Sequence, residues 1–328
     1  MGSKTKIEWT DATWNPITGC TEISPGCANC YAARLAATRL RNVSAYKGLA
    51  SLVQHGKKPL WKQQVRFNLE RLEEPLHWRK PRKIFVCDMS DLFHEKVPQE
   101  WIAKIFQVMF RADWHTYQIL TKRAGRMREI MQDLTTYSTM FGGKPLPHVW
   151  LGVSVENQRF ADERIPMLLE TPAAVRWISA EPLLGPINLD FIGPVGSSKS
   201  AIGCRPCNWK QQTATAQSGG HTCHESRPKL DWIVCGFESG PHARPGHPNW
   251  ARSLRDQAVA ASIPFFFKQW GEWAPAVRAN AEGDITWPAP EHDKSVQPFG
   301  ESGPWMQRWG KKVAGRLLDG REWSEFPK

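Results

Sequence analysis

Short apolar runs separated by amphipathic stretches set the rhythm of this chain. Seven runs read as strands: one ending at Ile17-Thr-Gly19, then Lys83–Asp88, Thr116–Thr121, Val149–Val155, Val175–Ser179, Trp232–Gly236 and Pro264–Lys268. Each is rich in β-branched or aromatic residues and lacks a polar face, the pattern of a parallel strand covered on both sides. Between them, Gln99–Asp113 places Trp101, Ile102, Ile105, Phe106 and Met109 at helical spacing, and Asn249–Ala261 does the same with Trp250, Leu254 and Ala258. Strand and helix alternate without an internal repeat, which predicts a parallel α/β fold. Six or seven such units favour a barrel, complete or open, over a doubly wound sheet.

Two regions break the rhythm. Residues 193–229, between the fifth and sixth strands, are rich in Gly, Ser, Gln and Thr and carry Cys204, Cys207, His221, Cys223 and His224. Residues 274–303 are Pro-rich and aperiodic, and read as a long surface excursion. Beyond them, Asp319-Gly320 between apolar residues signals a β-hairpin. The expected organisation is a discontinuous barrel over 1–192 and 230–273, a Cys/His insertion over 193–229, and an extension over 274–328.

Polar residues gather where the strands end: Asp88, Ser90 and Asp91; Thr121, Lys122 and Arg123; Ser154, Glu156 and Asn157; Glu181; Glu238 and Ser239. In a barrel those ends form the working face, so a convergent site is expected there.

Composition narrows the partners. The 328 residues carry 43 basic against 32 acidic side chains, a net +11, with 41% hydrophobic residues. That excess favours polyanions, because each neutralised phosphate releases counterions, and a nucleic acid or phosphorylated substrate is the expected partner. The densest basic tract is Trp78-Arg-Lys-Pro-Arg-Lys83. Seventeen tryptophans and fourteen phenylalanines must mostly be core, with any exposed ones suited to stacking on bases. No apolar run is long enough to cross a bilayer and no secretion signal opens the sequence, so a cytoplasmic location is expected. There, clustered cysteines bind metal more often than they pair.

Cys20, Cys27 and Cys30 form such a cluster, spaced C-x6-C-x2-C. Three thiolates on one loop suit three irons of a [4Fe–4S] cluster, leaving the fourth iron without a protein ligand. Zinc is the alternative, and needs a fourth ligand from elsewhere in the fold. In the insertion, Cys204, Cys207 and Cys223 with His221 or His224 could complete a structural zinc site, which would hold together a segment with almost no core. Cys87 and Cys235 sit in apolar strands and read as small core residues.

The segment Ile7-Glu-Trp-Thr-Asp-Ala-Thr-Trp-Asn-Pro-Ile-Thr-Gly-Cys20, followed by Ser24-Pro-Gly-Cys-Ala-Asn-Cys-Tyr31, resembles the phage-associated three-Cys-motif family, found in phages, prophages and bacterial chromosomes. Asp88-Met-Ser-Asp-Leu-Phe-His94, Leu120-Thr-Lys-Arg123, Leu151-Gly-Val-Ser-Val-Glu156 and Ser179-Ala-Glu-Pro-Leu-Leu184 extend the resemblance. So do Gly236-Phe-Glu-Ser-Gly-Pro-His-Ala-Arg-Pro245, Phe265-Phe-Phe-Lys-Gln-Trp-Gly271 and Leu317-Leu-Asp-Gly-Arg-Glu-Trp323. That family is similar in turn to radical S-adenosylmethionine enzymes, nearest their spore photoproduct lyase-like branch. Their usual motif is C-x3-C-x2-C, and this loop carries three more residues between its first two cysteines.

The resemblance implies a partial (β/α)6 TIM-like barrel with a [4Fe–4S] cluster at its mouth, held by Cys20, Cys27 and Cys30. It implies Tyr31 near the adenine of S-adenosylmethionine, Asp88, Ser90 and Asp91 near the methionine amino group, and Lys122, Ser154 and Glu181 near the carboxylate and ribose. Glu238, Arg244 and Lys268 are left for substrate and catalysis. The implied activity is generation of a 5′-deoxyadenosyl radical that modifies or repairs a nucleic acid or nucleotide. A reductase would serve as electron donor, and a phage or prophage-encoded protein as a further partner. The rival reading uses the same residues in a non-catalytic, zinc-stabilised nucleic-acid-binding protein of phage origin. A third is a phage interaction protein that has kept the barrel and lost the chemistry.

Overall fold

The computed structural model describes residues 5–53, 58–137, 142–193, 200–202, 229–276 and 304–328, with short strands also at 278–279, 285–286 and 296–298. Seven strands form one curled, all-parallel half-barrel sheet: β1 (Ala12–Trp14), β2 (Lys83–Val86), β3 (Thr116–Thr121), β4 (Val149–Ser154), β5 (Val175–Ala180), β6 (Trp232–Gly236) and β7 (Phe265–Gln269). Their spatial order is their chain order, and each strand pairs in parallel with the next. The sheet therefore has seven strands where the resemblance implied six.

Helices cover the convex face: α2 (Gln99–Arg111) follows β2, α3 (Ala124–Tyr137) follows β3, α4 (Gln158–Glu170) follows β4 and α5 (Pro248–Ala260) precedes β7, whereas α1 (Tyr31–Ala37), between β1 and β2, packs on the antiparallel hairpin of Ala50–Val53 and Lys58–Trp61. Among the described residues no helix links β5 to β6, where the Cys/His insertion enters. Cys204, Cys207, His221, Cys223 and His224 lie outside the described residues. No helix among those described is long and apolar enough to cross a membrane.

Strand alternation splits the core in two. Ile84 and Val86, Ile119, Leu151, Ile178, Ile233 and Cys235, and Phe265 and Phe267 turn outward into the helix-covered core. Their neighbours Phe85, Leu120, Trp150, Trp177, Trp232, Val234 and Phe266 turn inward and meet Trp9 and Phe326 in an aromatic plug. Ring centroids stand 4.7 Å apart for Trp9–Phe85, 5.3 Å for Trp9–Trp177 and 5.2 Å for Trp177–Trp232. Edge and tilted approaches of this kind add to the apolar burial itself. Gly152 makes the room: a Cβ there would stand 2.5 Å from the Trp177 indole.

Three local readings change. The first apolar run ends its part in the sheet at Trp14, because Pro16 has no N–H for a ladder; Ile17–Thr18 pairs instead with Arg66–Phe67, antiparallel. β2 stops at Val86 rather than Asp88, because Cys87 adopts φ +61° and leaves the extended region. Residues 274–303 are not free of elements: Val296–Pro298 pairs with Trp305–Arg308, which pairs with Trp273–Pro275. Strands of two to four residues carry too little alternation to stand out. The hairpin Leu317–Leu318 to Arg321–Glu322 forms as expected, with Asp319 at φ +53° and Gly320 at φ +74° in a primed turn.

Candidate functional site

All seven strands aim their C-terminal ends, or the loops that follow them, at one cavity of about 520 Å³. The loop after β1 supplies Cys20, Cys27, Cys30 and Tyr31; the loop after β2 supplies Asp88, Ser90 and Asp91; β3 supplies Thr121, Lys122 and Arg123. Ser154, Glu181, Glu238, Lys268 and Gln269 come from the remaining ends. Of the candidates among the described residues, Arg244 stands off the cavity wall, as do Glu156 and Asn157 among the strand-end polar residues. Parallel strands in chain order place polar loop residues together in this way whatever their distance in sequence.

The cysteine loop is tied down from four directions. At its start, Thr21 meets His94, Oγ1 to Nε2 at 2.8 Å, and its carbonyl accepts from Arg123 Nη2 at 3.4 Å. Ser24 Oγ donates to Glu156 at 2.6 Å, and Gly26 packs so close that a Cβ there would lie 2.5 Å from the same carboxylate. Arg244 Nη2 donates to the Pro25 carbonyl at 2.9 Å, and Asn29 Nδ2 donates to the His242 carbonyl at 2.9 Å and to Glu238 at 3.2 Å. Cys30 closes the loop by capping α1, its sulfur accepting from Ala33 N at 3.5 Å. A loop fixed to the ends of β2, β3, β4 and β6 is preorganised, with its ordering entropy met during folding.

The charged groups are nearly all spoken for. Glu156 is fully buried between Lys122 and Arg164, the latter 3.1 Å away. Burial alone would raise its carboxyl, but the two cations outweigh it and hold it below the usual carboxylate range. Asp91 accepts from Thr121 Oγ1 at 2.6 Å, Arg123 Nη1 at 3.0 Å, Phe93 N at 3.0 Å and Lys122 N at 3.1 Å. Its oxygens thus bind the β2 and β3 loops together. Glu238 is clamped by Arg244, whose Nε and backbone N donate at 2.9 and 2.8 Å. Lys268 Nζ reaches both Glu181 oxygens, at 2.7 and 3.0 Å. Ser90 Oγ donates to the Ile17 carbonyl at 2.9 Å, and Ser154 Oγ to that of Glu181 at 3.4 Å.

Asp88 differs. It accepts from Asn15, and burial pushes its carboxyl up despite that bond. The left-handed turn at Cys87 is what delivers it to the cavity. Tyr31 is about half exposed at the mouth, its hydroxyl donating to the Asp88 carbonyl at 2.8 Å. Gln269 Oε1 and Glu22 Oε1 are buried on the wall without a partner among the described residues.

The three sulfurs share the wall but do not converge. Among the described residues no three of His, Cys, Asp and Glu stand close enough to hold a metal ion. Burial pushes the Cys20 and Cys30 thiols up, for Cys20 with help from Asp91, so a cationic centre is what would keep them as thiolates. Each sulfur has a polar neighbour: Arg123 Nη1 at 3.9 Å from Cys20, Ser24 Oγ at 3.7 Å from Cys27, and Ala33 N beside Cys30. Cys87 and Cys235 are buried in the outer core, as read from sequence; the Cys87 thiol is pushed up to about 12.

The roles of several site residues escaped the reading of the sequence. Asn29, His94, Arg123 and Glu156 all lie in motifs noted above, and Arg123 and Glu156 were read as strand-end residues of the site, but nothing marked Arg123 as the neighbour of Cys20 or the other three as ties of the cysteine loop. No curated protein and no solved structure matches the chain. A family model does, over residues 4–327, so the chain belongs to the family described as "Protein of unknown function (DUF5131)".

Proposed function

We propose that the protein is a radical S-adenosylmethionine-type enzyme that acts on nucleic acid or a nucleotide. One observation carries the reading: three thiols from one loop and polar groups from the other strand ends line a single cavity. Its volume lies in the range of small-molecule sites, about 300–1,000 Å³. The donor set suits the cofactors. Three thiols on one loop suit three irons of a cluster with the fourth left open, whereas a closed structural zinc site needs a fourth protein ligand. The unpartnered Gln269 and Glu22 oxygens offer acceptors to a bound polar molecule.

In this reading Cys20, Cys27 and Cys30 hold three irons and leave the fourth to S-adenosylmethionine. The bound pair supplies hydrogen-atom abstraction, and the protein supplies orientation and exclusion of water. Asp88, a cavity carboxylate with no ion pair among the described residues, takes the methionine amino group. Lys268 and Glu181 orient the carboxylate and ribose from the opposite edge. Asp91, Glu156, Glu238 and Arg244 act through the loops they hold. Glu238 and Arg244 are thereby moved from the catalytic role implied by resemblance to a positioning role. Arg123 sets a positive charge beside Cys20, which favours its thiolate.

Anaerobic reconstitution with iron and sulfide tests this. The expected result is a brown protein that cleaves S-adenosylmethionine under reduction, with both properties lost in Cys20→Ala, Cys27→Ala and Cys30→Ala. Zinc alone in protein purified without oxygen, with no cleavage after reconstitution, would reject it in favour of a zinc-stabilised binder.

A further inference from the structure

The positive charge of this chain is not spread over its surface. Residues 31–69 hold eight basic side chains (Arg34, Arg39, Arg41, Lys47, Lys57, Lys58, Lys62 and Arg66) and no acidic one. The other 289 residues hold thirty-five basic against thirty-two acidic. One stretch of 39 residues thus supplies eight of the eleven net charges.

That stretch is a structural unit. It comprises α1 and the antiparallel hairpin of Ala50–Val53 with Lys58–Trp61, packed around its own apolar cluster of Ala32, Ala33, Ala36, Ala45, Tyr46, Leu49 and Trp61, closed by Met89. Cys20 and Cys30 pack against the same cluster. Tyr31, Ala32, Leu35 and Trp61 form part of the cavity wall, and the Gln64 backbone abuts Gly19 at the root of the cysteine loop. The lobe is therefore one side of the cavity mouth.

Four of its cations are available, while Lys58 pairs with Glu22 at 3.8 Å. Arg39, Arg41, Lys47 and Lys62 are exposed, and none forms an ion pair among the described residues. Arg66 is spent on backbone, donating to the carbonyls of Ser44 and Lys47, which draws its charge against the Lys47 segment. Lys62 N bonds the Leu49 carbonyl and Lys96 Nζ the Gln63 carbonyl at 2.7 Å, so a further cation joins the same edge. Uncompensated like charges in one lobe repel one another and cost stability unless a polyanion neutralises them.

We infer that the 31–69 lobe is a nucleic-acid-binding surface that grips the phosphate backbone of a strand and feeds one nucleotide into the adjoining cavity. The choice of nucleic acid rests on the proposed function; the placement of the surface does not. The half-exposed Tyr31 at the mouth offers a ring for the incoming base. A membrane surface fits less well, since in this lobe Tyr31, Leu52 and Leu69 are the exposed large hydrophobics among the described residues, too few for an apolar face.

The test is fluorescence anisotropy of a labelled single-stranded DNA oligonucleotide titrated with purified protein over a series of salt concentrations. The comparison is with a quadruple variant, Arg39→Gln, Arg41→Gln, Lys47→Gln and Lys62→Gln. All four changes are on the surface, and circular dichroism confirms folding. The expected loss of affinity is tenfold or more, with the slope of log K against log salt shallower by roughly 2 to 3, at about 0.7 per phosphate contact. A control triple change of Arg79→Gln, Lys80→Gln and Lys144→Gln, exposed cations outside the lobe, should leave binding within about twofold. Wild type that ignores the oligonucleotide, or a quadruple variant with unchanged affinity and slope, would overturn the inference. So would lobe-dependent binding to phosphatidylserine vesicles without oligonucleotide binding. Lobe-dependent oligonucleotide binding in a protein that never cleaves S-adenosylmethionine would uphold the surface and remove the proposed activity.

Discussion

The concave face of the half-barrel holds two regions built on opposite terms. Its floor is the dry aromatic plug of Trp9, Phe85, Trp177, Trp232 and Phe266. Its rim, at the C-terminal strand ends, is a ring of ion pairs: Arg123–Asp91, Lys122–Glu156–Arg164, Arg244–Glu238 and Lys268–Glu181. The floor gains stability from buried area and close packing. The rim spends desolvation energy on charges and gains a fixed geometry for loops that would otherwise be free. Stability is therefore expected to reside in the floor and definition of the site in the rim, although both are made by the same seven strands.

Trp177→Ala is the sharpest way to break that division. Removing a fully buried indole at the centre of the plug should cost about 3–5 kcal/mol in urea unfolding. The cysteine loop should keep its native hydrogen-exchange pattern. Glu156→Gln should show the converse. Leaving Arg164 buried without its anion costs about 3 kcal/mol, and exchange at residues 24–30 should accelerate because a neutral amide is a weaker acceptor for Ser24 than the carboxylate. If the loop stays protected in this variant, the rim does not define it. Gly152→Ala probes the floor by overpacking. Its Cβ meets the Trp177 ring at 2.5 Å, so a loss of about 1–3 kcal/mol is expected, read as a lower thermal midpoint.

The smallest effect separates the rim from the helix-covered core by pH. His115 is buried beside Tyr117 at the start of β3, and burial holds its pKa below the ordinary histidine value. Its folded form binds fewer protons than the unfolded chain, so its contribution is intact above about pH 6.5 and falls away as pH drops below that. Glu156, held low, contributes fully above about pH 4.5 and loses its share only as pH falls through its folded value. Acid titration of stability should thus show a shallow first loss that His115→Gln reduces, His94 and His247 being lowered as well, then a steeper one that Glu156→Gln reduces.

Much of this was legible in sequence, for a definite reason. Strands covered on both faces write themselves as dense apolar runs, so the order of the sheet followed from spacing alone. Collecting Asp88, Lys122, Ser154, Glu181 and Lys268 at one cavity needed only the rule that parallel strands share an end. What could not be read was partnership. Nothing in the sequence says that Asp91 is consumed by Thr121 and Arg123, or that Arg244 reaches back to Pro25 across more than two hundred residues. Nor does it mark Cys87 as the left-handed residue that ends β2. The plug was hidden for a related reason: alternating aromatic and aliphatic residues in a strand look uniformly apolar, so the inner face has no separate signature. The basic lobe was missed: the reading of the sequence singled out Trp78–Lys83, and only the fold of residues 31–69 beside the cysteines gives their charge a location.

The plug has a consequence for biosynthesis. Trp9 comes from near the beginning of the chain and Phe326 from near its close, and the two meet around Trp232, whose indole donates to the Glu325 carbonyl at 2.8 Å. While a ribosome is still translating, the strands can emerge and pair in order, yet their inner aromatic surface lacks its Phe326 cover until that residue has emerged. Nascent chains that have not reached it should therefore present a sticky concave face, and their yield should depend on chaperones that shield it.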